Sequence, residues 1–169
     1  MNDKGNLTDK RPPFLPMLLG TGFGSGLCPL GPGTAGSILA TIVWALIGLL
    51  LPDGSWALPC VTLILAIAFT PIGTWATARL QPYWGDDPSR VVIDEMVGVW
   101  IPLVAVRPGE YWWALTALVL FRFFDIVKPL GIKSLDRRTG AFWVMADDIL
   151  GGIYSLVCIV LLKALLHII

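Results

Sequence analysis

The stretch WALPCVTLILAIAFTPIGTWATA, residues 56–78, contains no charged side chain and is long enough to cross a lipid bilayer as a helix. A spanning α-helix needs about 20 predominantly apolar residues. Four other apolar stretches lie at residues 35–51, 91–106, 111–127 and 149–169, of which 35–51 and 91–106 are short. The sequence therefore predicts an all-α polytopic membrane protein with about five transmembrane helices.

The overall composition agrees with this class. Hydrophobic residues make up 56% of the chain and charged residues 14%, and the mean hydropathy is +0.75. A further apolar stretch, residues 14–27, is rich in glycine and too short to cross, so we expect a re-entrant or interfacial segment there. Residues 1–13 are predicted to form a polar cytoplasmic tail without the features of a secretory signal, and residues 14–169 a single helical domain.

The positive charges predict an orientation, because Lys and Arg near helix ends are retained in the cytoplasm. With the N-terminus inside, and with Arg122 and Lys163 assigned to helices, only Arg107 falls outside. The residues inside are then Lys4, Lys10, Arg11, Arg79, Arg90, Lys128, Lys133, Arg137 and Arg138. This orientation places the polar motifs at the cytoplasmic membrane face. The net charge is zero and no basic cluster is large, which argues against nucleic acid as a partner.

Two acidic doublets interrupt the apolar sequence, Asp94-Glu95 in VVIDEMVG and Asp147-Asp148 in VMADDILG. A charge at the centre of a transmembrane helix costs roughly 2.5 to 3.5 kcal/mol, so each doublet needs a partner that offsets this cost. A divalent cation is the obvious candidate. Capping of a helix N-terminus is the alternative, above all for Asp147, although one acid is enough for a cap.

Glycines accompany these motifs. Gly98 and Gly151 follow the first acid of each doublet by one helical turn, where a glycine lets another backbone or a ligand approach. Upstream, GTGFGSGLCPLGPGTAGS, residues 20–37, leads into a predicted helix, and the free N–H groups of such a start suit anions. Gly33, Thr34 and Ser37 are therefore candidate phosphate-binding residues, with capping of the helix as the alternative for Thr34 and Ser37. Close packing of helices through small residues is the alternative.

A polar stripe lies between the doublets in FRFFDIVKPLGI, residues 121–132, where Arg122, Asp125 and Lys128 recur every three residues. The planar fork of Arg matches phosphate oxygens, and Lys acts as a point charge, so Arg122 and Lys128 are candidate phosphate-binding residues. An internal salt bridge between Arg122 and Asp125 is the alternative. Arg90 could brace Asp94 across one turn.

Several phosphatase chemistries are excluded by what the sequence lacks. The only histidine is His167 near the C-terminus, and the residue six positions after Cys28 is a threonine rather than the arginine of a cysteine phosphatase. The aspartyl-phosphate signature DxDx(T/V) is absent. A metal-assisted carboxylate site remains, for which Mg²⁺ is suitable. The candidate metal ligands are Asp94, Glu95, Asp147 and Asp148, and these four with Asp125 form the predicted catalytic set.

Taken in order, PGTAGS, VVIDEMVG, FRFFDIVKP and DDILGG resemble the phosphatidylglycerophosphatase A family of bacterial membrane phosphatases. The resemblance implies Mg²⁺-dependent removal of the terminal phosphate of phosphatidylglycerophosphate at the inner membrane. The residues at matching positions are Pro32, Gly33, Thr34, Gly36, Ser37, Asp94, Glu95, Gly98, Arg122, Asp125, Lys128, Asp147, Asp148 and Gly152.

The expected partner is thus a phospholipid substrate in the bilayer. Three other functions stay open on the sequence. A phosphatase for an isoprenoid pyrophosphate would use similar residues. A proton- or ion-coupled transporter is another option, since intramembrane acids also mark relays. A non-catalytic scaffold is disfavoured by the cost of so many ionisable groups.

Overall fold

The structure is a computed structural model that describes residues 11–129 and 131–168, with side chains described up to residue 166. Within these ranges the chain is helical and has no strand, which confirms the all-α prediction there. Most of the predicted tail and the side chain of His167 lie outside the described residues. The elements are α1 (Phe14–Gly20), a short 3-10 helix (Ser25–Leu27), α2 (Pro32–Gly48), α3 (Ala57–Trp84), α4 (Ile93–Leu103), α5 (Tyr111–Val127), α6 (Ile132–Asp136) and α7 (Ala141–Ile168).

Helix α4 lies at the centre of the bundle. Nine of its eleven residues are buried, and it packs against α2, α3, α5 and α7. The indole Nε1 of Trp100 donates a hydrogen bond to the carbonyl oxygen of Ala40, at 3.1 Å, and so joins α4 to α2. Trp100 also contacts the ring of Phe69 edge to face. The short apolar run that contains the first acidic doublet is therefore the core of the molecule.

The number of transmembrane helices differs from the prediction. Among the described helices, two are long and apolar enough to cross a membrane, α3 and α7, while α2 is apolar but shorter. The predicted span 91–106 is reduced to α4, and eleven residues of helix extend only about 16 Å against a hydrocarbon core of about 30 Å. The count of about five spans is thus not confirmed.

The outer surface of the long helices is apolar. Leu63, Ile64 and Ile67 on α3 are exposed, as are Leu161 and Leu165 on α7. An apolar surface of this kind is unusual for a protein surrounded by water and is expected where helices contact lipid tails. The apolar outward faces of α3 and α7, like the length and hydropathy of these helices, are therefore those expected of membrane-spanning helices.

The crossing of α4 and α7 depends on two glycines. A Cβ at Gly152 would lie 3.0 Å from the Cβ of Ile101 and closer still to the carbonyl oxygen of Gly98. A Cβ at Gly98 would overlap the ring of Phe121 and lie 3.0 Å from the carbonyl oxygen of Asp148. The sequence predicted this close approach at Gly98 and Gly151, but Gly151 has ordinary clearance of 3.8 Å. The position on α7 was therefore wrong by one residue.

One end of the bundle collects the polar motifs. Helices α2, α4 and α7 begin at this end, and α3 and α5 end there. Pro32 occupies the first turn of α2, where its missing N–H would be unpaired in any case. The Gly-rich segment before α2 is tied to α4 by a hydrogen bond of 2.8 Å from the N–H of Val92 to the carbonyl oxygen of Gly20. The acids in the first turns of α4 and α7 or shortly after them therefore lie at the same end of the bundle as the cations near the end of α5.

Candidate active site

A cavity of about 470 Å³ opens at this end of the bundle. Eight of the ten predicted site residues line it, and they come from α2, α4, α5 and α7 and from the residue that follows α5. They are Gly33, Asp94, Glu95, Arg122, Asp125, Lys128, Asp147 and Asp148. Segments that are 53 residues apart in the sequence, from Asp94 to Asp147, thus contribute to one site.

Three carboxylates converge at the base of this cavity. One oxygen each of Asp94, Glu95 and Asp148 lies within 4.8 Å of the others. Asp94 and Asp148 are only 6% and 4% exposed, so water has little access to offset their mutual repulsion. In the described part of the chain, Asp94 Oδ1 and Glu95 Oε2 are buried without a hydrogen-bond partner.

These unpaired oxygens fit a bound cation. Buried polar atoms normally have a partner, and leaving a charged one unpaired costs several kcal/mol. An all-oxygen ligand set of this kind suits a hard divalent ion such as Mg²⁺ or Mn²⁺. Asp94, Glu95 and Asp148 are therefore the residues that would hold a metal ion in this structure.

Asp147 has a different environment. Lys128 Nζ donates a hydrogen bond to Asp147 Oδ2 at 2.6 Å and also contacts Asp136 Oδ1. Successive residues of a helix point about 100° apart, so the two acids of the α7 doublet reach different parts of the cavity. The predicted four-carboxylate metal set is thus divided, with three acids clustered and Asp147 paired with a lysine.

Lys128 is held in place by an unusual backbone. Its φ of 48° is left-handed, a conformation that costs a non-glycine residue about 1 kcal/mol or more, and its N–H donates to Phe124 O at 2.8 Å. Burial alone would lower the pKa of Lys128, but the hydrogen bonds to Asp136 and Asp147 raise that pKa above its ordinary value. Lys128 therefore stays charged near neutral pH.

Arg122 and Asp125 form the salt bridge that was one of the two alternatives for the polar stripe. Arg122 Nη1 lies 2.5 Å from Asp125 Oδ2, one helical turn away, in an ion pair that lacks hydrogen-bond geometry. Arg122 Nε is buried without a hydrogen-bond partner among the described residues. The guanidinium thus keeps donors that an anion in the cavity can engage.

The start of α2 contacts the same groups through its backbone. A Cβ at Gly33 would lie 3.1 Å from Arg122 Nη1 and would overlap the carboxylate of Glu95. Only glycine therefore lets the first turn of α2, with its free N–H groups, approach the acids and the arginine this closely.

Two predicted phosphate-binding side chains are not brought to the cavity. The hydroxyl of Ser37 is buried and donates to Gly33 O at 2.8 Å, inside its own helix. Thr34 is exposed and does not line the cavity. The helical period turns Thr34 about 100° away from Gly33. Ser37 lies one turn beyond Gly33, and its hydroxyl is bound to the backbone of α2. Arg90 does not brace Asp94 either, since its guanidinium lies over the ring of Trp84, at 5.9 Å.

The structure adds site residues that sequence reasoning missed. The last residue of α6, Asp136, and the connection to α7, with Arg137, Arg138 and Thr139, contribute to the cavity wall. Their signal in the sequence was the charged run KSLDRRTG, residues 133–140, which lies six residues before the second doublet. Its cations were counted only for orientation. The wall also includes Asp86 and Asp87, from a loop whose charges are expected by default to be solvated.

Comparison with known proteins identifies the family. The model of the phosphatidylglycerophosphatase A family matches residues 18–163, which include every element that lines the cavity. The chain belongs to the phosphatidylglycerophosphatase A family. Proteins of this family are phosphoric monoester hydrolases, so the cavity with its acids, arginine and lysine is the candidate active site of such an enzyme.

Individual relatives agree with this membership. The phosphatidylglycerophosphatases A of Escherichia coli and Haemophilus influenzae are each 36% identical, over 82% and 84% of this chain and 77% and 85% of their own lengths. A Bacteroides thetaiotaomicron protein named "Putative phosphatidylinositol-3-phosphatase" is 53% identical over 89% of this chain and 94% of its own length. No solved structure matches the chain significantly.

Proposed function

We propose that this phosphatidylglycerophosphatase A family member is a Mg²⁺-dependent enzyme that removes the terminal phosphate of phosphatidylglycerophosphate and releases phosphatidylglycerol. The observation that carries the proposal is the cluster of Asp94, Glu95 and Asp148, whose buried and unpaired oxygens lie in the same cavity as Arg122. The ion supplies charge neutralisation and polarisation of the phosphoryl group when bound.

The protein's own groups position the phosphate. Arg122 binds its oxygens through the donors that Asp125 leaves free, and Asp125 fixes the orientation of the guanidinium. The backbone of Gly33 closes the site on the α2 side. Lys128 acts as a fixed positive charge rather than as a proton donor, because its raised pKa keeps the ammonium protonated.

A lipid substrate is supported by apolar side chains at the cavity mouth. Ile126 lines the cavity and is 69% exposed, and Leu30, next to the lining residue Gly31, is 96% exposed. Such side chains are costly in water and favourable against acyl chains. The headgroup then enters the polar cavity while the acyl chains stay on the apolar surface beside it.

We further propose a multi-pass protein in the bacterial inner membrane with the cavity facing the cytoplasm. Support comes from the excess of Lys and Arg predicted on the cytoplasmic side. Helices α2 and α7 also run away from the cavity end, while α3 and α5 run towards it. Cysteine labelling from either side of inverted and right-side-out vesicles, with single cysteines placed at position 86 and at position 53, tests this orientation.

The substrate is tested by phosphate release from purified protein in detergent. We expect phosphatidylglycerophosphate to be hydrolysed with a higher kcat/KM than phosphatidylinositol 3-phosphate or an isoprenoid pyrophosphate. The second lipid is included because a relative of 53% identity bears that substrate in its name. Preference for either alternative lipid would replace the proposed substrate. Ion flux into liposomes without hydrolysis of any lipid would contradict the proposed enzyme and indicate a transporter.

A further inference from the structure

Two arginines lie on the rim of the active-site cavity and have no role in the function proposed so far. Arg137 and Arg138 directly follow the short helix α6, and both are exposed and line the cavity. Among the described residues, no carboxylate oxygen lies within 4 Å of either guanidinium. Arg138 lies over the ring of Trp143, 4.2 Å from its centroid, and Trp143 lines the cavity too.

The inner cations of the cavity differ from this pair. Arg122 is paired with Asp125, and Lys128 contacts both Asp136 and Asp147. The rim arginines are thus the cationic groups of the cavity wall that form no ion pair with a carboxylate in the described part of the chain. Stacking on Trp143 fixes the plane of the Arg138 guanidinium and leaves its edge donors available, as suits recognition of phosphate oxygens.

We propose that Arg137 and Arg138 form a second phosphate subsite, which binds the phosphodiester of a lipid whose headgroup ends in a phosphomonoester. This inference rests on the proposed function, because the inner site must hold the phosphomonoester. In such a lipid the phosphodiester is attached to the acyl-bearing glycerol. With the terminal phosphate at Arg122 and the acyl chains outside, the phosphodiester lies between them, at the rim.

The subsite gives the enzyme a basis for choosing its substrate. Phosphatidylglycerophosphate and phosphatidylinositol 3-phosphate both carry a phosphodiester and a phosphomonoester. Phosphatidic acid carries the phosphomonoester alone, directly on the acyl-bearing glycerol, and cannot occupy both subsites. The rim arginines therefore select lipids with two phosphates over phosphatidic acid, without distinguishing between the two-phosphate lipids.

The test compares the double variant Arg137→Gln/Arg138→Gln with the control Lys133→Gln. Lys133 lies on the adjoining short helix α6 and is exposed, but it does not line the cavity. For phosphatidylglycerophosphate in neutral detergent micelles, we expect the double variant to raise KM about tenfold or more with little change in kcat, because charge-assisted hydrogen bonds are lost. Its kcat/KM for phosphatidic acid should change less than twofold, and Lys133→Gln should match wild type on both lipids.

An equal loss of kcat/KM on the two lipids, or the same loss in Lys133→Gln, would overturn the subsite. Such a result would indicate a general attraction of the positive surface for anionic lipids. Binding of a short-chain phosphatidylglycerophosphate to each protein in chelator is measured in parallel. We expect the double variant to bind it about tenfold more weakly than wild type. If wild type hydrolyses neither lipid, the proposed function fails, and unchanged binding in the double variant would overturn the subsite independently.

Discussion

Asp147 and Asp148 are neighbours in the chain, yet they have opposite electrostatic partners. The carboxylate of Asp148 lies with those of Asp94 and Glu95, whereas Asp147 accepts a hydrogen bond from Lys128. Removing the charge of a residue that binds the metal ion should change the metal requirement, whereas removing the charge of one that positions a lysine should change the rate of the reaction. The doublet therefore offers a matched pair of substitutions within one turn of α7.

We expect Asp148→Asn to increase the Mg²⁺ concentration needed for half-maximal phosphate release by about tenfold or more, because one ligand charge is lost. Asp147→Asn should lower kcat while leaving that concentration within about twofold of wild type. Activity titrations with Mg²⁺ in a chelator-buffered series measure both. An equal shift in the two variants would place Asp147 in the metal shell and contradict the division seen here.

Arg122 is expected to act through the shape of its guanidinium as well as its charge. Arg122→Lys keeps the charge but loses the fork that bridges Asp125 and the phosphate, so we expect kcat/KM to fall about tenfold or more. The control Arg79→Lys changes an exposed residue of α3 outside the cavity. Steady-state kinetics of the two variants provide the measurement, and wild-type kinetics in Arg122→Lys would remove Arg122 from the phosphate site.

At the scale of elements, the α4 and α7 crossing brings the carboxylates together. Asp94 and Glu95 are in the first turn of α4, and Asp148 is one turn before Gly152 on α7. The backbones can approach this closely only because Gly98 and Gly152 lack a Cβ. A substitution that forces α4 and α7 apart is therefore expected both to destabilise the protein and to increase the distance between the metal ligands.

We expect Gly152→Ala to reduce the free energy of unfolding by about 1 to 3 kcal/mol, since its new methyl group overlaps the backbone of α4. Gly151→Ala, on the neighbouring position, meets only ordinary contacts and should be neutral or slightly stabilising. Thermal unfolding in detergent, followed by circular dichroism, compares the two. Equal stability of both variants would contradict the crossing described here.

The helices themselves were predictable in part. The apolar run 111–127 coincides with α5 because its ends are marked by a charged loop before it and a Lys-Pro pair after it. Helix α7 begins at Ala141, eight residues before the predicted span, because that span was counted from the apolar run that follows the acidic doublet. The apolar run 91–106 was predicted to be a membrane span, but it contains the shorter helix α4. Nine of the eleven residues of α4 are buried, so burial inside the protein rather than lipid contact accounts for the hydrophobicity of this run.

Most of the charged residues that line the cavity were predictable from the sequence, but their arrangement was not. Sequence periodicity indicated which acids and cations are polar exceptions in apolar helices. It gave no information on which carboxylate faces a lysine from another element, as Asp147 does. Nor did it assign a role to Asp136, whose contact with Lys128 depends on the path of the chain between α5 and α7. Contacts between elements, rather than local pattern, decide such pairings.

At the scale of the whole molecule, the end opposite the active site has its own ion pair. Lys163 Nζ contacts Glu110 Oε2 and donates to Ala105 O at 2.8 Å, and the N–H of Arg107 donates to Glu110 at 2.8 Å. Burial alone would raise the pKa of Glu110, but these hydrogen bonds lower that pKa below its ordinary 4.5. The pair joins α7 to the loop between α4 and α5.

Because the pKa of Glu110 is lower in the folded state, its contribution to stability is present above pH 4.5 and is lost as the pH falls through the folded value. We therefore expect wild type to exceed Glu110→Gln in Tm at pH 7 and the difference to shrink below about pH 4.5. Thermal unfolding across this range measures it. A difference that stays constant with pH would show that the carboxylate charge is not what stabilises this end.

The central claim is that a divalent cation held by Asp94, Glu95 and Asp148 is required to release the lipid phosphate. The most direct measurement is phosphate release from phosphatidylglycerophosphate by purified protein after treatment with a chelator, followed by titration with Mg²⁺. Asp53→Asn, an exposed acid outside the cavity, serves as the control. We predict no activity in chelator and full recovery with Mg²⁺ for wild type and the control. Full activity of the metal-free protein would contradict the claim.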